Sequence, residues 1–423
     1  MSIDGLSNME PWREIEEAAS GALAFAERAS AIAPRAPEVA VFGEWNTGNL
    51  GDRAIHIEVK RFFEECGWLT RSFHLGSLSS GDEPAEAPDA GGGALRPPAK
   101  RAVRGVWQRV RMLRLLPRLE RVQAISVGGG ALLTDDGLNF PQSLMELARY
   151  ARALDKPLVC LGCSAEGPWS ARGWRMIREF LEACTVLAVR DSDTAARLAT
   201  TLGARPPVFG DFCLTGALPA EAPRSPPGAR HQLAINVSQL AAPWAAEQAR
   251  LEDALVALAR SAAARMAARG IGLCVFTTGL EEDARAARRV HALLEPCGAL
   301  LYLPASLDQL SMLLSTACVV VATRLHAAVI PLAGRLPVAG LGASPRLHDF
   351  FATMNIGRYC YEPGSVRQLA DWLALVNLQV VAGDQQRALS RSAVWETRAR
   401  ARTQIASLAA ARGAIRELPH DAR

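Results

Sequence analysis

Short apolar runs alternate with helical stretches of about ten to twenty residues along most of this 423-residue chain. Val39–Phe42, Ala124–Val127, Leu158–Leu161 and Val186–Val189 read as buried strands in the first half, separated by helical patterns such as Ala54–Cys66, Pro141–Leu154 and Ala171–Cys184. In the second half, Leu233–Val237, Leu273–Thr277, Ala299–Leu303 and Cys318–Ala322 alternate with helices over 245–269, 281–295 and 306–316. A strand followed by a helix long enough to return implies a right-handed crossover to a parallel neighbour. The chain is also too long for one ordinary core. The pattern therefore predicts an α/β protein of two doubly wound domains, with ligands beyond the carboxyl ends of the strands in a cleft between them.

Punctuation in the sequence divides these domains. Ser77–Pro98 is rich in Gly, Pro, Ser and acids and poor in aromatics, so it cannot bury enough apolar surface to order itself. Leu218–Gln232 has the same character near the middle of the chain. We expect an N-terminal helical extension over 1–37 and a Rossmann-like domain over 38–220 that carries a flexible and basic insertion at 77–121. A second Rossmann-like domain over 230–362 follows, then C-terminal helices over 363–423 that pack back across the domains.

The net charge of +4 is unevenly placed. Lys100–Arg121 carries eight Lys/Arg against the single acid Glu120, leaving the rest of the chain mildly acidic. A dedicated nucleic-acid binder would spread basic residues over a whole face, so nucleic acid is not an expected partner. Val106, Trp107, Val110, Leu113, Leu115 and Leu116 interleave with those arginines. Two readings stand: an amphipathic helix in peripheral contact with an anionic membrane, or a solvated helix packed on its own domain. The chain lacks any run of about eighteen apolar residues, and its first twenty residues lack the basic start and apolar core of a secretory signal. Nine scattered cysteines suit a reducing compartment, so a cytoplasmic location is expected. Cys160 and Cys163 have no second pair at zinc-site spacing and read as core thiols; no metal site is expected.

The strand ends carry the chemistry. After Phe42 comes GEWNTGNLGDRAI, where Gly43, Gly48 and Gly51 permit close backbone approach and Asp52 suits the N-cap of the next helix. Its spacing matches neither glycine-rich nucleotide signature. GGGALL follows Val127, GCSAEGP follows Leu161, and RDSDTAARL follows Val189, with Arg190 at the strand end and Asp191 or Ser192 able to cap a helix. Arg324 and His326 sit where the strand Cys318–Ala322 gives way to an apolar helix. His56 suits either the cleft or the surface, and His348 is a second, weaker candidate for acid or acceptor contact.

GNLGDRAI, GGGALL, RDSDTAARL and above all TRLHAAVIPLAGRLPVAGL resemble the motifs of the polysaccharide pyruvyl transferases, over about Val39 to Gly357. The resemblance implies a GT-B-like pair of Rossmann-like domains. It also implies transfer of pyruvate from phosphoenolpyruvate, the co-substrate, to a glycan or a lipid-linked sugar acceptor, with no further cofactor. The product would be a ketal on a cell-surface polysaccharide or its precursor, made in the cytoplasm or at the inner face of the plasma membrane. Carried over by position, Arg324, Leu325 and His326 contact phosphoenolpyruvate, with Arg190 as a further anion contact. Asn46, Gly48, Asn49, Gly51, Asp52, Gly128, Gly129 and Gly130 complete the expected substrate contacts. The family commonly shows a lysine after the P-V-x-G-L strand, where this chain has GASPRLHDFF; Arg346 is the residue that can supply the charge, with a different geometry.

The chemistry agrees with that assignment. A carboxylate and a phosphate call for fixed cations, and arginine's planar fork suits both. Protonating the methylene carbon makes C2 open to attack by a sugar hydroxyl, and histidine, with an ordinary pKa near 6.5, holds such a proton at neutral pH. Two other readings stay open: a nucleotide-sugar glycosyltransferase of the same architecture, and a non-catalytic protein that binds an anionic glycan.

Overall fold

Val39 to Phe42 are buried on both faces of β1 (Glu38–Gly43), as the centre of a parallel sheet requires. The computed structural model describes residues 36–45, 47–76, 79–80, 98–135, 139–216, 231–240, 245–342, 344–375 and 377–415. Nearly all of the expected N-terminal extension, most of the acidic insertion, the boundary at 217–230 and Asn46 lie outside them.

In the first half β1 is followed by α1 (Leu50–Glu65), β2 (Leu69–His74), β3 (Ser79–Ser80), α2 (Pro98–Arg121), β4 (Ala124–Thr134), α3 (Asn139–Ala153), β5 (Leu158–Glu166), α4 (Ala171–Ala183), β6 (Val186–Val189) and α5 (Ser192–Leu202). The sheet order is β3-β2-β1-β4-β5-β6, parallel except for β2 with β3. The second half runs β7 (Gln232–Asn236), α6 (Ala245–Ala267), β8 (Gly272–Phe276), α7 (Glu281–Leu294), β9 (Leu300–Tyr302), α8 (Leu307–Thr316), β10 (Ala317–Ala322), α9 (Leu325–Ala333), β11 (Val338–Leu341), α10 (Pro345–Thr353) and β12 (Cys360–Tyr361). Its order is β12-β11-β10-β7-β8-β9, parallel throughout. The chain order reverses between β1 and β4 and between β7 and β10. Each reversal opens a crevice at the carboxyl ends of the strands.

Three features differ from the sequence reading. The triple glycine lies inside β4, which continues to Thr134 past a register shift against β5 between Gly130 and Leu133. Gly129 has φ +73°, and a Cβ there would fall 2.0 Å from Ile55 Cγ2, so only glycine lets α1 lie this close. The GCSAEGP segment likewise starts within β5, which runs to Glu166 and buries Cys160 and Cys163. β2, β3 and β12 have no counterpart in the sequence reading.

The C-terminal helices α11 (Val366–Leu375), α12 (Leu378–Ser390) and α13 (Val394–Ile415) bring the chain back to the first half. Trp68 Nε1 donates to the Ile405 carbonyl at 2.9 Å, and Arg402 pairs with Glu65 at 2.6 Å. Met112, Leu115 and Leu119 of α2 are buried in the first-half core, whereas Leu113 is 62% exposed. Lys156 Nζ donates to the carbonyls of Leu119, Glu120 and Val122, closing the C-terminal end of α2. Among the described residues no helix is long and apolar enough to cross a membrane.

Candidate active site

The two crevices face one another across a cavity of about 250 Å³. Gly43 at the end of β1 with Glu44 and Trp45 after it, Gly128 to Leu132 of β4, Ser238 to Leu240 after β7, and Thr323 to His326 after β10 all line it. The halves interlock at one side: Leu50 N donates to the Thr278 carbonyl at 2.8 Å, and Gly279, at φ +101°, lies against the Gly48 carbonyl.

His326 is buried in the first turn of α9, and its Nε2 stands 3.3 Å from Asp211 Oδ2. Asp211 caps a 3₁₀ turn, Phe212–Thr215, its Oδ1 accepting from Cys213 N at 3.0 Å. Burial alone would raise the Asp211 carboxyl; the imidazole of His326, then Arg190, together with the Cys213 N–H, outweigh it and hold the group well below the usual carboxylate range. A fixed carboxylate against Nε2 orients the ring. Nε2 and Oδ2 are both fully buried and meet at ion-pair distance rather than in a hydrogen bond, so Nδ1 is the ring nitrogen outside the pair.

Arg398 of α13 holds the Asp211 segment from behind. It donates to the carbonyls of Phe209 (3.0 Å) and Asp211, and its guanidinium carbon lies 4.5 Å from the Phe209 ring centroid. Burial brings its pKa down to about 10, so it stays charged.

Arg324 N-caps α9. Buried Asn236, the last residue of β7, fixes that strand end by accepting from Thr323 N and Arg324 N. Here the sequence expectation needs correction. The guanidinium fork is not free: Nε and Nη2 both donate to buried Asp283 at 2.6 Å. What Arg324 presents to the cavity is its remaining N–H groups, not an open fork. Arg190 is buried beside Asp191 and lines the cavity, and Arg346 reaches across to pair with Glu166 while also lining it. α9 and α10 both start at the cavity, and neither N-cap residue, Arg324 or Ser344, makes a side-chain cap. Their first-turn N–H groups and dipoles therefore favour an anion there.

Other expected contacts divide. Asn49, Asp52, Gly128, Gly129, Gly130, Arg190, Leu325 and Arg346 line the cavity with Arg324 and His326. Gly48 and Gly51 do not: Gly48 packs on the Gly279 carbonyl, and a Cβ on Gly51 would fall 2.3 Å from His326 Nδ1. Their smallness serves the fit between the halves, not ligand approach. Asp52 is not the N-cap of α1; Asn49 is, accepting from Gly51 N at 3.0 Å, while Asp52 accepts from Thr47 Oγ1 and Asn49 Nδ2. His56 faces the cavity. His348 is turned to the Gly342 carbonyl and Glu362 and does not line the cavity.

Asp211 and Glu44 were not singled out by sequence reasoning. A lone carboxylate inside the apolar run VFGDFCL is the signal that was available for Asp211. Asp211, Cys213 and His326 also bring one ligand atom each within 4.8 Å of one another. Holding a metal would require the Cys213 thiolate, and burial, with Asp211 alongside, pushes that thiol well above its ordinary value. The arrangement suits a carboxylate–imidazole pair better.

A model of the family described as polysaccharide pyruvyl transferase matches residues 49–345. No curated protein matches the chain. Among solved structures, a glycosyltransferase from Rickettsia africae is similar at 8% identity and a TM-score of 0.55, covering 88% of this chain and 98% of that one. A putative UDP-N-acetylglucosamine 2-epimerase from Listeria monocytogenes gives 8% identity and 0.53, covering 84% and 91%. Anabaena HepE in complex with UDP and glucose gives 12% identity and 0.50, covering 88% and 100%. At these identities the likeness establishes the fold: two Rossmann-like domains of the GT-B type.

Proposed function

Since the chain belongs to the polysaccharide pyruvyl transferase family, we propose that it moves pyruvate from phosphoenolpyruvate onto a sugar of a cell-surface polysaccharide or its lipid-linked precursor, finishing as a ketal. The observation that carries this reading is an Asp211-backed His326 lining the same cavity as Arg190, Arg324 and Arg346. The arginines and the uncapped starts of α9 and α10 receive the phosphate and carboxylate. His326 delivers a proton from Nδ1 to the methylene carbon, and Asp211 stabilises the imidazolium before transfer.

In this reading the lipid-linked acceptor is met at the inner face of the plasma membrane, with the exposed Leu113 and Arg114 of α2 toward the lipid. Sedimentation of the Arg114→Glu variant with anionic vesicles checks that part separately.

Calorimetric titration tests the donor. Phosphoenolpyruvate is expected to bind and UDP-glucose not to; the reverse order would put the nucleotide-sugar reading in its place.

A further inference from the structure

The corner of the cavity at the end of β1 differs from the rest. It offers two carboxylates, Glu44 and Asp52, beside Trp45, His56 and Phe140. The Trp45 ring stacks on His56 at 3.9 Å and on His74 at 4.2 Å, and His56 Nε2 is held by Ser72 Oγ at 2.9 Å. Burial, with Lys60 and His74 nearby, brings His56 down to about 4, and burial lowers His74 as well, so neither ring is charged at neutral pH. A corner of this kind repels the donor's anions. It accepts a neutral polyol, whose hydroxyls donate to carboxylates and whose C–H faces pack on aromatic rings.

Glu44 directly follows β1. Its Oε1 accepts from Gly76 N at 2.5 Å, on the turn after β2, and its second oxygen accepts from no described residue. We propose that Glu44 is the base that takes the proton of the attacking sugar hydroxyl, and that the corner it shares with Asp52 and Trp45 seats the neutral acceptor ring. This inference rests on the pyruvyl-transfer reading.

The steps balance. The first hydroxyl oxygen bonds to C2 as its proton passes to Glu44, and His326 gives C3 a proton as the enol double bond is lost. In the second step the C2–O bond to phosphate breaks and the second hydroxyl bonds to C2. Its proton restores His326, and the departing phosphate takes the one on Glu44. Two hydroxyl protons leave the sugar, one ending on C3 and one on phosphate.

Burial pushes Glu44 up to about 7 against the lowering effect of the Gly76 N–H, and Asp52 adds to the rise. Among the described residues, the titratable groups around it are Asp52 and His56 on α1 and His74 on β2, and Arg346 of α10 interacts with Asp52. A base with a pKa near the working pH is matched to this task.

The test uses the whole chain, phosphoenolpyruvate, and the membrane-and-glycan fraction of cells lacking this protein as acceptor. In the wild type, kcat/KM for transfer should fall on the acidic side of about pH 7. Glu44→Gln should bind phosphoenolpyruvate within about twofold of wild type yet transfer about 10²–10⁴-fold more slowly, with the acidic limb gone. A melt at pH 5, where the wild-type carboxyl is protonated, should match wild type and so establish that the variant folds. Wild-type turnover with an unimpaired Glu44→Gln and an unchanged acidic limb overturns the base assignment alone. A wild type that releases no phosphate from phosphoenolpyruvate overturns the pyruvyl-transfer reading, and this inference with it.

Discussion

Asp211 Oδ2 lies 3.3 Å from His326 Nε2, joining a turn in the first half of the chain to the first turn of α9 in the second. The pair therefore exists only when the two halves are packed together. In the proposed reaction this carboxylate orients the ring that carries the proton. Asp211→Asn keeps the shape but removes the charge, and kcat should fall about 10²–10⁴-fold while phosphoenolpyruvate affinity stays near wild type. Phosphate-release kinetics beside calorimetry reads both quantities. Equal losses in affinity and kcat would assign Asp211 to ligand binding instead.

Gly51 is the floor under the imidazole. A methyl group there would meet His326 Nδ1 at 2.3 Å, so Gly51→Ala must displace the ring or the start of α1. Overpacking of this kind costs about 1–3 kcal/mol. The expected outcome is a lower melting temperature together with a loss of kcat. Gly48→Ala, whose Cβ would stand 3.4 Å from the Gly279 carbonyl, should be milder on both counts. Parallel melts and turnover assays of the two variants check the order.

Arg398 links the C-terminal helix to the same pair. Arg398→Met leaves the Phe209 and Asp211 carbonyls without their buried donor, at about 1–3 kcal/mol for each unsatisfied group. Urea unfolding should show the loss of stability. Arg398→Lys should recover only part of it, because one ammonium does not reproduce the fork.

How far these residues were legible depends on the element that carries each one. Arg324 and His326 stood out because an apolar β-branched run ends beside them and an apolar helix begins, a boundary that sequence periodicity marks. Asp211 starts a short turn with no periodicity, three residues after the bridge residue Val208, and its burial comes from α9 and α1, elements far apart in the chain, with Arg398 of α13 behind it. Glu44 and Trp45 lay in a loop that was read for its glycines. Their setting is made by β2, whose LTRSFH pattern is half polar and begins with Leu69 at 51% exposure, so it does not read as a buried strand. The fork of Arg324 was assigned to a ligand because Asp283, its partner, sits on the separate helix α7.

Glu44 and His56 should make opposite contributions to the pH dependence of stability. Its carboxyl titrates near 7 in the fold and near 4.5 when unfolded, so the folded chain holds the extra proton between those values. Stability from this group is therefore lost as pH rises from about 4.5 to 7, by at most about 3 kcal/mol. Glu44→Gln should be more stable than wild type at pH 8 and indistinguishable from it at pH 4. His56 acts in the opposite sense: with a folded value of about 4, its contribution is lost as pH falls from 6.5 toward 4. Chemical denaturation at pH 4, 6 and 8 separates the two.

The most direct test of the account is a ³¹P and ¹H nuclear magnetic resonance time course of the whole chain with phosphoenolpyruvate and the acceptor fraction from cells lacking it. The account predicts that inorganic phosphate grows in step with a new ketal methyl signal on the glycan, and that His326→Ala abolishes both while still binding phosphoenolpyruvate. Phosphoenolpyruvate left intact while a nucleotide sugar is consumed in the same mixture would contradict it.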